Sequence, residues 1–146
     1  NLNYIIIYPN DDLGKNQIFK NIKKLEKNKK FKILPSINFE HYLTLLKHSK
    51  FVIGNSSSGI MEAPYFNIPT INIGNRQSNR LKVKFIINSS FTKKNISQSI
   101  RYSNKIKIKK SFLFGKGNSN KKILSILKNK NFWANSVQKN FIDLLK

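Results

Sequence analysis

The segment that decides the fold is Phe51-Val-Ile-Gly-Asn-Ser-Ser-Ser-Gly-Ile-Met-Glu-Ala-Pro64. Its apolar start, Phe51 to Ile53, predicts a buried strand, and the polar turn after it predicts a helix that begins near Ser58. The first turn of a helix has backbone N–H groups without partners inside the helix, and the helix dipole is positive at that end. Serine hydroxyls add donors, and glycine lets the backbone approach a bound group closely. The segment therefore predicts a strand, a turn and a helix suited to an anion such as phosphate.

A second segment, from Pro69 to Arg80, predicts another strand and then a loop with two arginines, Arg76 and Arg80. Only three of the 28 basic residues of the chain are arginine, so two of them in one short loop are notable. Arginine binds phosphate or carboxylate through two parallel N–H donors, a geometry that lysine cannot reproduce. We therefore predict that both belong to the anion site. The alternative is a pair of ordinary surface arginines.

Strands and helices alternate along the rest of the chain. Apolar runs predict strands at 4–8, 31–34, 51–53, 70–73 and 84–87, and helical spacing predicts helices at 16–28, 39–48, 59–66, about 96–103, about 123–127 and from 133 onward. The run at 4–8 is typical of a central strand in a parallel sheet. This alternation predicts one α/β domain with an open parallel sheet and helices on both faces. Ligands bind such sheets at the carboxyl ends of the strands, where Asn10, Ser56 and Arg76 are all predicted to lie.

The composition is that of a globular protein. The chain has 146 residues, of which 39% are hydrophobic, enough for one domain with a real core. The absence of cysteine excludes disulfides and thiolate sites, and no apolar run is long enough to span a membrane. The chain begins with Asn1 and almost at once enters a strand, so we expect a piece of a longer protein. No signal peptide is visible, and the absence of cysteine fits the cytoplasmic location that we expect.

The net charge of +22 raises the alternative of a basic module that binds nucleic acid or an anionic membrane. The excess is lysine spread along the chain and accompanied by much Asn and Ile, which indicates a biased genome composition. No zinc-finger spacing, helix-turn-helix or aromatic RNA motif accompanies the lysines. We therefore predict neither a nucleic-acid nor a membrane partner.

Several other polar residues have two interpretations. Asp11 and Asp12 follow the first predicted strand, so they are site candidates, although Asx turns explain them about as well. His41 and His48 lie on one predicted helix, where a surface or packing role is favoured over catalysis. Glu62 lies in the first turns of the helix after the serines, either as a ligand-binding carboxylate or as an acid that complements the helix dipole.

The two segments at 54–64 and 69–80 strongly resemble the UDP-N-acetylglucosamine 2-epimerase family. The run Asn55-Ser-Ser-Ser58 is most similar to its hydrolysing branch, which makes N-acetylmannosamine or related sugars for sialic-acid-type pathways. Further matches cover nearly the whole chain: Tyr8-Pro-Asn10 with Asp12 and Gly14, Leu34-Pro35, and the late loop Phe114-Gly-Lys-Gly117. Asn79 differs, because the family usually has Gly there; Asn is the next most tolerant residue of a positive φ.

This resemblance implies a GT-B architecture, in which two Rossmann-like domains hold the nucleotide sugar in the cleft between them. Residues 1–146 resemble the C-terminal, nucleotide-binding domain alone. We expect the N-terminal domain, and the strand and helix that normally precede the Tyr4 strand, to belong to a longer protein. The family tends to form dimers, and Trp133 on the last predicted helix would pack against the N-terminal domain.

The resemblance also implies a UDP site. Its candidate residues are Asn10, Asn55, Ser56, Ser57, Gly59, Glu62, Arg76 and Arg80. By the resemblance, the serines hold the diphosphate, the glutamate accepts hydrogen bonds from the ribose hydroxyls, and the first arginine faces the nucleotide. The asparagine after the first strand reaches toward the phosphate or the sugar, and the backbone near Leu34 and Pro35 flanks the uracil.

The implied reaction is elimination of UDP across C1–C2 of the sugar, followed by addition of water with inversion at C2. We expect no catalytic acid or base on this chain, no cofactor and no metal, and no activity of the chain alone, because the acid and base residues come largely from the N-terminal domain. An alternative is the nucleotide-sugar-binding half of a GT-B glycosyltransferase. It would use the same diphosphate chemistry but would not need the full pattern from Asn55 to Gln77.

Overall fold

The computed structural model describes residues 2–10, 13–77, 80–81, 83–134 and 138. Strands and helices alternate in the predicted order. They are β1 (Tyr4–Ile7), α1 (Lys15–Lys23), β2 (Phe31–Leu34), α2 (Phe39–Lys47), β3 (Val52–Gly54), α3 (Ser58–Met61), a 3-10 helix (Ala63–Phe66), β4 (Thr70–Ile73), β5 (Ile86–Ser89), α4 (Lys93–Ser103), α5 (Ser119–Lys128) and α6 (Lys130–Trp133).

Every strand pair in the described residues is parallel, as the sequence predicts. β1 pairs with β2, and β3, β4 and β5 form a three-stranded sheet in that order. The hydrogen-bonded strands thus form two groups, where the sequence predicts one continuous open sheet. The register of the larger group places Gly54, Asn72 and Asn88 in one row near its carboxyl end.

β1 is not a central strand in the part of the chain that the structure describes. It pairs with β2 alone, and Ile5 and Ile7 on one of its faces are 48% and 37% exposed. The continuous apolar run predicts burial on both faces, and that prediction is wrong for these residues. A strand with one paired neighbour and nothing covering one face leaves that face open to solvent.

The core lies where α2 and the 3-10 helix meet β3 and the segment before β4. Leu46, Ala63 and Ile68 are its buried centre. Four partly buried side chains pack around them: Tyr42, Leu43, Val52 and Phe66. The α2 helix begins where the Asn38 side chain accepts a hydrogen bond from the N–H of His41 at 2.9 Å. This packing orients α2 so that one of its side chains reaches the start of α3.

The helix predicted at 59–66 is split into α3 and the 3-10 helix. Pro64, at the start of the second piece, has no N–H to donate to the preceding turn. The 3-10 helix ends at Phe66, and its C-cap, Asn67, has a left-handed φ of 63° two residues before Pro69. The two pieces keep Ile60 and Ala63 buried while the chain turns back into β4.

Other boundaries differ by a few residues. α1 ends at Lys23, and the chain continues through turns to β2. β5 starts at Ile86, two residues after the predicted start. Most of the helix predicted from 133 onward lies outside the described residues. None of the described helices is long and apolar enough to cross a membrane.

Candidate functional site

The serine turn, defined as Asn55 to Ser57, connects the carboxyl end of β3 to α3. Gly54 closes β3 with a φ of 150°, a backbone conformation that side chains disfavour. Asn55 and Ser56 are exposed after it, and the Ser56 Oγ accepts a hydrogen bond from the N–H of Ser58 at 3.3 Å. Ser57 makes no side-chain cap to α3. The turn therefore presents short polar side chains at the open edge of the sheet, as the sequence predicts.

Gly59 brings α3 into close contact with β4. A Cβ atom on Gly59 would lie 2.5 Å from Cγ2 of Thr70, well inside normal contact distance. The Thr70 hydroxyl donates a hydrogen bond to the Gly59 carbonyl, and both residues are buried. Among the candidate site residues, Gly59 therefore fixes where α3 begins relative to the sheet.

Glu62 lies one turn after the serine turn, and one of its carboxylate oxygens, Oε2, is buried without a hydrogen-bond partner among the described residues. A buried carboxylate oxygen is strongly unfavourable unless something donates to it. An acid that only complemented the helix dipole would not need such burial. The structure thus favours the ligand-binding interpretation of Glu62, in which its free oxygen accepts a hydrogen bond from a bound molecule, for example from a hydroxyl.

Tyr42 of α2 joins this group, and sequence analysis did not identify it. Its hydroxyl is hydrogen-bonded to the Ser58 Oγ at the start of α3. Burial raises the pKa of Tyr42 above 10.0; the hydrogen bond with Ser58 acts in the opposite direction, and the carboxylate of Glu62 adds to the increase. Helical spacing accounts for an apolar ring at this position, and the only available signal was that the ring carries a hydroxyl.

Gln77 links the arginine loop, residues 74–77, to the serine turn. Its Nε2 donates to the backbone carbonyl of Asn55 at 2.8 Å, and the side chain is only 4% exposed. Its Oε1 is buried without a partner among the described residues. At the other end of the loop, Gly74 has a φ of 79° and donates its N–H to the Ser89 carbonyl at 3.0 Å. The loop after β4 is therefore held against both neighbouring strands.

The other predicted site residues lie after β4 and after β1. Arg76 is exposed in the arginine loop, and Arg80 is exposed with its N–H donating to the Gln77 carbonyl at 3.4 Å. Asn10 is exposed after β1, and no hydrogen bond joins it to the serine turn in the part of the chain that the structure describes. Asp11, Asp12 and Asn79 lie outside the described residues, and both histidines are exposed on or just after α2.

Beneath the turn, Asn72 of β4 is fully buried and its Nδ2 donates to the Asn88 Oδ1 at 2.8 Å. Its own Oδ1 has no partner among the described residues. No group of three or more His, Cys, Asp or Glu side chains suited to a metal ion occurs among those residues. The site is thus built from amides, hydroxyls, one carboxylate and a nearby arginine loop.

Parallel strands surrounded by helices, with a polar turn at their carboxyl ends, define an α/β protein of the Rossmann-like type found in each half of a GT-B fold. A UDP-N-acetylglucosamine 2-epimerase from Methanocaldococcus jannaschii, solved in complex with UDP-GlcNAc and UDP, has the same fold with a TM-score of 0.65 at 23% identity. The match covers 77% of this chain and 32% of that chain.

Sequence comparison identifies the family of the chain. Residues 1–128 match the family model for UDP-N-acetylglucosamine 2-epimerase. A UDP-N-acetylglucosamine 2-epimerase of Neisseria meningitidis serogroup B is 42% identical over 146 residues, which is 97% of this chain and 38% of the relative. The hydrolyzing UDP-N,N'-diacetylbacillosamine 2-epimerase of Legionella pneumophila is 33% identical over 129 residues, which is 88% of this chain and 34% of the relative. The chain belongs to the UDP-N-acetylglucosamine 2-epimerase family and spans little more than a third of the length of these relatives.

Proposed function

We propose that this chain is the UDP-binding, C-terminal domain of a hydrolysing UDP-N-acetylglucosamine 2-epimerase, which eliminates UDP and inverts C2 to give N-acetylmannosamine or a related sugar. Family membership favours this function over that of a glycosyltransferase with the same architecture. The observation that supports UDP binding most directly is the buried, unpartnered oxygen of Glu62, one helical turn from the serine turn.

In this proposal, the two chemical parts of UDP meet two parts of the site. The hydroxyls and N–H groups of the serine turn donate to the diphosphate, and the guanidinium of Arg76 pairs with its charge. The free oxygen of Glu62 accepts hydrogen bonds from the ribose hydroxyls, which removes the cost of burying an unpaired acceptor. Arg80 and Asn10 extend the polar surface toward the phosphate and the sugar, and the backbone at Leu34 and Pro35 lies beside the uracil.

These groups act on the leaving group. Negative charge develops on the β-phosphate as the C1–O bond breaks, and donors fixed in advance stabilise that charge without reorganising. The acid and base that remove and return the proton at C2 come from the N-terminal domain of the longer protein, which functions in the cytoplasm as a homodimer in sialic-acid-type biosynthesis. The isolated chain binds UDP and has no epimerase activity.

Calorimetric titration with UDP tests the binding half of this proposal. Loss of a bidentate, charge-assisted pair costs about 1.5–3 kcal/mol, so Arg76→Ala weakens UDP binding by roughly 10- to 150-fold. Arg101→Ala is the matched control, because Arg101 is exposed on α4 and lies outside the site. Equal UDP affinity in the two variants would contradict the site.

A second titration separates the two parts of the ligand. Glu62→Gln keeps the volume of the side chain and removes its charge, so it weakens UDP binding and leaves the affinity for inorganic pyrophosphate unchanged or slightly higher. Arg76→Ala weakens the binding of both. A Glu62→Gln variant with native affinity for UDP would show that this carboxylate does not contact the ribose.

The catalytic half is tested by joining this chain to the remaining length of the Neisseria meningitidis relative, in place of the part that it matches. The chimera is incubated with UDP-GlcNAc, and the products are separated. Free UDP together with N-acetylmannosamine is the expected result. An epimeric nucleotide sugar with no free UDP would show a non-hydrolysing enzyme, and transfer to an added acceptor sugar would show a glycosyltransferase.

A further inference from the structure

We infer that Gln77 is a positioning residue for the nucleotide site: its hydrogen bond to the Asn55 carbonyl holds Arg76 beside the serine turn. This inference rests on the proposed function. Gln77 follows Arg76 directly in the chain, so any force that fixes the backbone at Gln77 also fixes the start of the Arg76 side chain. Gln77 is itself too buried to contact UDP freely, with 4% of its surface exposed.

The arginine loop has two attachment points, one on each side of β4. Gly74 is tied to β5 through its bond to the Ser89 carbonyl, and the ring of Phe91 lies so close that a Cβ on Gly74 would be 2.6 Å from it. Gln77 ties the other end to the turn after β3 at 2.8 Å. Arg76 lies between the two attachments. Its long side chain has many rotamers, and a fixed backbone reduces the entropy lost when the guanidinium binds phosphate.

The amide oxygen of Gln77 makes it possible to distinguish a positioning role from a contribution to stability alone. Its Oε1 is buried with no partner among the described residues, so the side chain makes one hydrogen bond and leaves one acceptor unsatisfied. Methionine has nearly the same length and no amide, so Gln77→Met removes both the hydrogen bond and the unsatisfied acceptor. Stability therefore changes little in Gln77→Met, because the lost bond is offset by the removal of the unsatisfied acceptor. The same substitution has a larger effect on the position of the arginine loop, because it removes the hydrogen bond that ties the loop to the serine turn.

A thermodynamic cycle on UDP affinity tests the inference. Gln77→Met is made in the 146-residue chain and in its Arg76→Ala variant, and UDP is titrated by calorimetry while the thermal midpoint is followed by circular dichroism. The expected result is a loss of affinity of about three- to tenfold for Gln77→Met alone, with little change in the midpoint. In the Arg76→Ala background, the same substitution causes no more than about a twofold loss, because the side chain that it positions is absent.

The control substitution is Gln98→Met, since Gln98 is exposed on α4 and its change leaves UDP affinity as it was. If Gln77→Met fails to fold, Gln77→Asn retains the amide but shortens its reach, and the same cycle applies. An equal loss of affinity with and without Arg76, or no loss at all, overturns the positioning role while UDP binding by the native chain still stands. Absence of UDP binding by the native chain overturns the proposed function, and this inference with it.

Discussion

Gly59→Ala tests the close approach of α3 to β4, on which the position of the serine turn depends. Helix propensity alone predicts that alanine stabilises a helical position by about 1 kcal/mol relative to glycine. The structure predicts the opposite. The new methyl carbon would lie 2.5 Å from Cγ2 of Thr70 and 3.2 Å from its Oγ1, where nonbonded carbons normally lie about 3.5–4.0 Å apart.

The helix must then move by roughly 1 Å away from β4 to restore normal contacts. Overpacking of this kind costs about 1–3 kcal/mol, and the movement also lengthens the hydrogen bond from the Thr70 hydroxyl to the Gly59 carbonyl, whose net value is about 1 kcal/mol. After the gain in helix propensity is subtracted, we expect the free energy of unfolding to fall by about 2 kcal/mol. UDP affinity falls as well, because Ser58 and the serine turn move with the helix.

Thr70→Ser is the matched second change, because it removes Cγ2 and keeps the hydroxyl. In the native background it costs about 1 kcal/mol for the lost buried methyl. In the Gly59→Ala background it restores stability and UDP affinity, because it removes the atom that the new methyl meets. Urea unfolding followed by circular dichroism measures all four proteins. A Gly59→Ala variant at least as stable as the native chain, or a Thr70→Ser change equally harmful in both backgrounds, would refute the reasoning.

Two further predictions concern other residues around the site. Burial raises the pKa of the Tyr42 hydroxyl, so its contribution to stability is complete below pH 10.0 and is lost as the pH rises from there through the folded-state pKa. Tyr42→Phe therefore costs about 1 kcal/mol at neutral pH and removes this part of the alkaline loss. Tyr102→Phe, at an exposed position on α4, is the control and is expected to cost little. A Tyr42→Phe variant whose stability, measured by urea unfolding, falls with rising pH just as that of the native chain does would contradict the prediction. Asn67 has a φ of 63°, which alanine disfavours and glycine tolerates. Asn67→Ala therefore lowers the free energy of unfolding by about 1 kcal/mol, and Asn67→Gly leaves it nearly unchanged. Equal stability of these two variants would rule out the backbone explanation.

Local patterns were sufficient to predict the order of the elements. Short apolar runs separated by polar turns predicted five strands, and all five occur in the described residues as parallel strands. The exposure of β1 was not predictable in the same way, because an apolar run records what a side chain is and not which layer covers it. The end of α1 at Lys23 was also not predictable from spacing, because Leu25 continues the apolar spacing after the helix has ended.

The site shows the same division between local and tertiary information. The serine turn and the arginine loop were visible because their residue types are unusual at their positions. The polar contacts of Tyr42 and Gln77 were not, because each is made with a residue at least 16 positions away. A tyrosine in an apolar helical stripe and a glutamine in a polar loop are both ordinary in sequence, and only the folded chain shows where their polar atoms go.

The unsatisfied buried acceptors are evidence for the proposed site that does not depend on any sequence motif. Among the described residues, three buried side-chain oxygens lack a hydrogen bond: those of Glu62, Asn72 and Gln77. Each such atom costs about 1–3 kcal/mol, and stable folds keep few of them without a reason. Glu62 directly follows α3, Asn72 is in β4 and Gln77 is in the loop after β4. Asn72 pairs in register with Gly54 and Gln77 donates to the Asn55 carbonyl, so both lie next to the serine turn in the folded chain. A bound molecule with hydroxyl donors would remove this cost at Glu62, so the burial of its oxygen supports a binding role for the carboxyl end of the sheet. Unlike the net charge of +22, which is spread along the chain, it points to one place.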